Sequence, residues 1–282
     1  MKKPVSRVRK KSPTKKENLN VYLFLSILIP VFILILAFSW YHRVAIKTFF
    51  ISTFSKSAPS EVDNKSHEIR NVELMKRHAD KIFGIDISQY QGEIRWNEVN
   101  TIHSDFPIDF IFIRATMGEK NVDKKFKSNW KSASSRAKLR GAYHYFRPNE
   151  NSVKQARNFI KQVKLSPGDL PPVLDIEEHP RNQPMDSLKM GLKRWLDLVE
   201  KHYNIKPIVY SGDKYYSDFL EKEFSEYTLW IANYNFWIET PKNHWNFWQF
   251  SENGSVDGIN GNVDLNLFDG TIEELESLCL PY

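Results

Sequence analysis

The run from Val21 to Ser39 is almost uninterrupted in its apolar character, carrying Leu23, Phe24, Leu25, Ile27, Leu28, Ile29, Val31, Phe32, Ile33, Leu34, Ile35 and Leu36 and no charge. At 1.5 Å rise per residue, about 19–20 helical residues cross a hydrocarbon core of about 30 Å, so the pattern predicts one transmembrane helix. Pro30 is tolerated better in a membrane helix than in a soluble one, and Trp40 and Tyr41 fall where an interfacial aromatic belt lies. A cleavable signal peptide has a shorter apolar core, about 7–15 residues, and a small-x-small site. Ala37-Phe38-Ser39-Trp40 makes a poor site, which favours an uncleaved signal anchor over residues 21–41.

Residues 42–81 read as a polar, charge-mixed juxtamembrane linker, with a short helix expected over 68–81. From Ile82 the pattern changes to short apolar runs alternating with amphipathic stretches. Strand-like runs are Ile82–Ser88, Phe110–Thr116, Arg140–Phe146, Leu170–Glu177, Lys206–Gly212, Thr228–Tyr234, Phe247–Ser251 and Asn262–Phe268. Helix-like segments are Trp96–His103, Asp123–Lys138, Ser152–Lys164, Met185–Tyr203 and Lys214–Phe224. The clearest is Met185–Tyr203, with Leu188, Leu192, Trp195, Leu196 and Val199 on one stripe. Alternating strands and helices imply parallel strands joined by crossovers. The fold class expected for residues 82–282 is therefore α/β, a compact and somewhat degenerate TIM-like β/α barrel preceded by one N-terminal transmembrane helix. The last two strand intervals are too short for full helices, so a hairpin-like closure is expected there.

The formal charge of +6 belongs to the first twenty residues, where eight Lys or Arg face one acid, Glu17. Without them the chain has 32 basic and 33 acidic groups, which gives no reason to expect nucleic-acid binding. The positive-inside rule puts this tail in the cytoplasm and everything after Tyr41 outside, anchored in the cytoplasmic membrane with the folded domain periplasmic or extracellular. Cys279 is the only cysteine, which excludes an intrachain disulfide framework and a Cys-based zinc site. His103, His179, His202 and His244 lack metal-ligand spacing, and no cofactor is expected.

The chemistry enters at Leu170-Pro171-Pro172-Val173-Leu174-Asp175-Ile176-Glu177-Glu178. Strand side chains alternate faces, so Asp175 and Glu177 point the same way at the end of a buried run. Two such acids repel each other and are poorly solvated, which splits their proton affinities. Glycoside hydrolysis needs this pair, one acid for the leaving oxygen and one carboxylate to support the cationic sugar. In a β/α barrel the chemistry sits at the carboxyl ends of the strands. Asp86 lies near the end of the first strand and Asp264 in the eighth, so four carboxylates can meet at one mouth.

The domain resembles glycoside hydrolase family 25, the Chalaropsis-type lysozymes or N-acetylmuramidases, over about residues 82–270. The resemblance rests on Gly84-Ile85-Asp86-Ile87-Ser88 with Tyr90-Gln91-Gly92, Phe110-Ile111-Phe112-Ile113-Arg114-Ala115-Thr116 and Gly141-Ala142-Tyr143-His144-Tyr145-Phe146. It continues through Pro172-Val173-Leu174-Asp175-Ile176-Glu177, Tyr210-Ser211-Gly212, Trp230-Ile231-Ala232-Asn233-Tyr234, Trp248-Gln249-Phe250 and Val263-Asp264-Leu265-Asn266. One departure is Met117, where the family often has Glu. The resemblance implies hydrolysis of the β-1,4 bond between N-acetylmuramic acid and N-acetylglucosamine in peptidoglycan strands. It implies Glu177 as general acid/base and Asp175 as partner carboxylate, acting as nucleophile or by orienting the substrate's acetamido group. It implies Asp86 and Asp264 as supporting acids, with no metal.

Tyr143, Tyr145, Tyr210, Trp248 and Gln249 are candidates for substrate contact. His144 lies on the face opposite Tyr143 and Tyr145, so only one of the two sets looks into the mouth. Glu178, on the opposite face from Glu177, is expected to be solvated or salt-bridged. Two rival functions remain, a chitinase-like hydrolase and a non-catalytic peptidoglycan-binding envelope tether. The first lacks the longer D-x-x-D-x-D-x-E string, and the four acids argue against the second.

Overall fold

The computed structural model describes residues 15–41, 43, 46, 59–134, 139–235, 240–242 and 244–281. Most of the basic tail and of the segment joining the first two helices lies outside the described residues. Helix α1 (Lys15–Tyr41) contains the apolar run, and from Leu23 to Tyr41 it is long and apolar enough to cross a membrane. Its apolar side chains, including Phe24, Ile27, Leu34 and Phe38, are exposed.

Helix α2 (Pro59–Arg77) departs from the expectation of a simple linker. Ser66, Arg70, Asn71, Leu74 and Met75 recur at helical spacing and are buried, with Met75 joining the core of the folded domain.

Eight strands follow at the places the alternation predicts. They are β1 (Ile82–Ile87), β2 (Phe110–Met117), β3 (Leu139–Tyr145), β4 (Val173–Asp175), β5 (Ile208–Gly212), β6 (Thr228–Ala232), β7 (Phe247–Gly254) and β8 (Val263–Phe268). They pair in chain order and close through β1, which runs parallel to β2 and antiparallel to β8. Strands β1 to β7 are mutually parallel, and β8 is antiparallel to both neighbours. Residues 255–262 are too few for the crossover that a parallel eighth strand requires, so the chain turns straight back.

Helices α3 (Phe126–Ala133), α4 (Ser152–Gln162) and α5 (Met185–Tyr203) fill the intervals after β2, β3 and β4. Three consecutive helical pieces, Asp213–Tyr215, Tyr216–Leu220 and Glu221–Phe224, follow β5. The helix expected at 96–103 is absent. A small ladder of Thr101–Ile102 with Phe106–Pro107 stands there, turned by the positive φ angles of His103 and Ser104. A short helix, α6 (Ile272–Ser277), was not anticipated by the apolar pattern.

Period-two alternation sorts the strands into two packing layers. Ile111, Ile113, Leu174, Val209, Ile231 and Phe250 face outward to α4, α5 and their neighbours. Phe110, Phe112, Val173, Ile208, Trp230 and Phe247 fill the interior, where Phe112 stacks on Trp230 at 4.5 Å. Gly141 makes room for the Phe112 ring, since a Cβ there would lie 2.5 Å from it.

Candidate active site

The inward register turns from apolar to polar along each strand. Phe110 and Phe112 lead to Arg114 on β2, Val173 to Asp175 on β4 with Glu177 two residues past that strand's end, Ile208 to Tyr210 on β5, and Phe247 to Gln249 on β7. Because β8 runs the other way, Asp264 near its start sits beside Asp86 near the end of β1, and the two are register partners. Asp86, Asp175, Glu177 and Asp264 thus line one open cleft, with Tyr143, Tyr145, Tyr210 and Gln249 on its walls.

Burial shapes each acid. Asp175 is 4% exposed, and burial followed by the neighbouring Glu177 charge raises its proton affinity well above the usual carboxylate range. Among the described residues, no N–H or O–H donor reaches its buried Oδ1. Glu177 stands exposed at the rim, yet the concave walls strip enough solvent from its carboxyl group to raise its pKa as well. The two carboxyl groups lie within hydrogen-bonding reach of each other, so their protonations are linked.

Asp86 is held differently. Its Oδ2 accepts hydrogen bonds from Gln249 Nε2 at 2.6 Å and Asn266 Nδ2 at 2.8 Å. Burial pushes its pKa up, these two amides pull it back, and it settles at about 6. Asp264 lacks that support, and burial plus the Asp86 charge push it up to about 9. Asp86 is therefore the readier of the two to ionise, and Asp264 the one that keeps its proton. The amides are themselves fixed. Asn266 Oδ1 accepts the Trp230 indole N–H at 2.8 Å, and Gln249 Oε1 accepts the Tyr210 hydroxyl at 2.6 Å and the Tyr234 hydroxyl.

The remaining sequence candidates divide cleanly. Tyr143 and Tyr145 face the cleft, whereas His144 points to the helices, stacked on Trp195 at 5.5 Å and bonded to Thr116 Oγ1 and Gln155 Oε1. Burial lowers the His144 pKa to about 4, so it is neutral. Glu178 pairs with Arg147 at 2.5 Å and accepts the Tyr145 hydroxyl at 3.0 Å, bracing that ring. Met117 Sδ lies 3.3 Å from the same arginine.

Trp248 is a correction. It is fully buried in the outer layer, with its indole N–H on the Asn233 carbonyl and His78 edge-on. Adjacent residues on a strand cannot share a face, and Gln249 takes the inward position.

Sequence reading missed Asn266, Tyr234, Arg114, Tyr90 and Glu252 as members of the site. Extending the inward alternation finds Arg114 from Phe110 and Phe112, and Asn266 from Asp264. Tyr90, 75% exposed at the rim, has the Arg114 guanidinium 4.6 Å from its ring centre.

A sequence profile described as Glycosyl hydrolases family 25 matches residues 85–259, the stretch that supplies Asp86, Asp175 and Glu177. The chain belongs to this family. It is a glycoside hydrolase. A protein of Escherichia coli (strain K12) described as "Uncharacterized protein YegX" is 44% identical over 200 residues, covering 70% of this chain and 72% of that protein. Lysozyme M1 of Streptomyces globisporus is 30% identical over 210 residues, covering 69% of this chain and 70% of the lysozyme. The solved structure of a family 25 glycosyl hydrolase from Bacillus anthracis superposes with a TM-score of 0.61 at 30% identity, over 70% of this chain and 92% of that one.

Proposed function

We propose that this family 25 glycoside hydrolase is a membrane-anchored lysozyme that cuts the β-1,4 bond between N-acetylmuramic acid and N-acetylglucosamine in peptidoglycan. The observation that carries the reading is the touching pair of Asp175 and Glu177 at an open cleft, both with raised proton affinity. The similarity to Lysozyme M1 supports the choice of substrate. Glu177, at the rim, gives its proton to the glycosidic oxygen as the bond to C1 breaks. Asp175 supports the positive charge that develops at C1. Its Oδ1 is suited to accept the acetamido N–H of the sugar while the amide oxygen closes on C1. Water, deprotonated by the Glu177 carboxylate, then opens that intermediate. Asp86, the readier of the two to ionise, adds negative potential beneath the developing cation, and Asp264 holds its proton against the Asp86 carboxylate. Tyr143, Tyr145, Tyr210 and Gln249 shape the walls.

The barrel is read as a degenerate member of the TIM-like class, with one reversed strand and incomplete helices. Residues 21–41 serve as the anchor in the cytoplasmic membrane and the basic tail stays in the cytoplasm, leaving the barrel on the outer side with the cell wall. The test is mass analysis of fragments from purified peptidoglycan digested by the full chain, wild type beside Glu177→Gln. Wild type should release products with new muramic-acid reducing ends, and the variant should release almost none. Products with reducing ends on glucosamine, or equal release by both proteins, would end the assignment.

A further inference from the structure

Strand β7 carries Gln249, the residue that joins Asp86 to Tyr210 and Tyr234, and it breaks register with β8 twice. One extra residue falls between Gln249 and Ser251, and another between Ser251 and Gly254. Bulges of this kind re-aim side chains beside active sites, and they leave main-chain groups to be satisfied from elsewhere. Helix α2 supplies the donors. Arg70 Nη1 donates to the Phe250 carbonyl at 2.8 Å, within the first bulge, and Asn71 Nδ2 donates to the Asn253 carbonyl at 3.0 Å, within the second. Arg70 Nη2 reaches across to the Asn235 carbonyl at 3.3 Å, one residue past Tyr234. These two main-chain contacts of Arg70 therefore adjoin residues of a single cluster, because the Tyr234 hydroxyl and the Asp86 carboxylate both bond the Gln249 side chain.

We propose that Arg70 is a positioning residue of the catalytic cleft, a clamp on the bulge after Gln249 and the loop after Tyr234 that holds the groups orienting Asp86. By this account α2 is part of the catalytic domain, which begins near residue 59, and the helix following the membrane anchor completes the site. The choice of residue fits the role. Arg70 is 6% exposed, and burying a guanidinium carries a desolvation cost that an aliphatic docking residue avoids. Met75, fully buried five residues further on, already supplies apolar docking. The flat fork of the guanidinium is what lets one side chain reach two carbonyls on separate segments.

The inference rests on the lysozyme reading for its kinetic arm, so the test has a second arm that needs no substrate. Full-length protein in detergent micelles is compared as wild type, Arg70→Met, Arg70→Lys, Met75→Ala, Tyr234→Phe and the Arg70→Met/Tyr234→Phe double variant, assayed well below each melting temperature. Arg70→Met should lower kcat by about tenfold or more with KM little changed, the scale on which small misplacements act. Arg70→Lys, which keeps the charge and can serve one carbonyl, should recover part of the loss. Met75→Ala should melt earlier with unchanged kcat. The double variant should fall short of the product of its two single effects, since both act through Gln249. In the second arm, amide exchange over residues 233–235 and 247–254 should accelerate together in Arg70→Met. Independent effects in the double variant, an equal kcat loss in Met75→Ala, or unchanged exchange in either stretch would overturn the clamp. Wild type that releases no muropeptides would instead overturn the lysozyme reading, and the exchange arm would still decide the clamp.

Discussion

The floor and the mouth of the barrel are built by the same strands in the same alternation, yet they do opposite things. At the floor the inward positions are Phe110, Phe112, Val173, Ile208, Phe247 and Phe268, packed ring on ring and free of charge. At the mouth the same register delivers Asp86, Asp175, Glu177 and Asp264, with Arg114 as the cation among them. Every one of these four acids has its proton affinity raised, which means each would be more comfortable in water. The comparison teaches that stability and chemistry are separated along the barrel axis by about two residues per strand. Removing a mouth acid should relieve strain, and removing a floor ring should create it.

The sharpest way to break this division is Glu177→Gln. It should cost about a thousandfold in kcat or more, in the range expected for a general acid, while the melting temperature stays level or rises. A large drop in melting temperature would show that the mouth also holds the fold. Phe112→Ala is the mirror experiment. Loss of a ring stacked on Trp230 should cost about 3–5 kcal/mol in denaturant unfolding, with kcat per folded molecule nearly retained. Next in size comes Asn266→Leu, which removes one of the two amides that keep Asp86 ionised. The acid limb of the pH–rate profile, expected near pH 6 in wild type, should then move to higher pH. An unmoved limb would take Asp86 out of the mechanism.

A further test concerns stability against pH. A carboxyl group whose folded pKa lies above its unfolded value binds more protons in the folded state between those two values, so stability falls as pH rises through that window. For Asp264 the window runs from the ordinary 3.8 to about 9, and for Asp86 from 3.8 to about 6. The melting temperature should therefore decline from pH 5 to pH 9, and Asp264→Asn should flatten the decline above pH 6. A steeper decline in the variant would contradict the assignment of a protonated Asp264.

Much of this was legible in the sequence because alternation and helical spacing are local. The eight strands and Met185–Tyr203 follow from apolar periods alone, and Asp175 and Glu177 share a face because they are two residues apart. Trp248 and Gln249 could not both face inward, and the parity of the strand was enough to choose between them. Other features depend on partners remote in sequence. Arg70 meets Phe250 across 180 residues, and nothing in the composition of Pro59–Arg77 marks the main-chain carbonyls waiting for it. Glu252 reaches the cleft only through register breaks in β7, which depend on the pairing with β8. The ladder at 101–107 replaced an expected helix because two residues there adopt left-handed backbone, a choice that apolar spacing does not encode.

The reversed eighth strand has one more effect. Running downward, it delivers the chain to the far end of the barrel, where α6 presses Leu275 into the ring cluster as a cork. A polysaccharide would then have no tunnel to thread. It would be laid over the rim anywhere along its length, cut, and released upward through the opening by which it came.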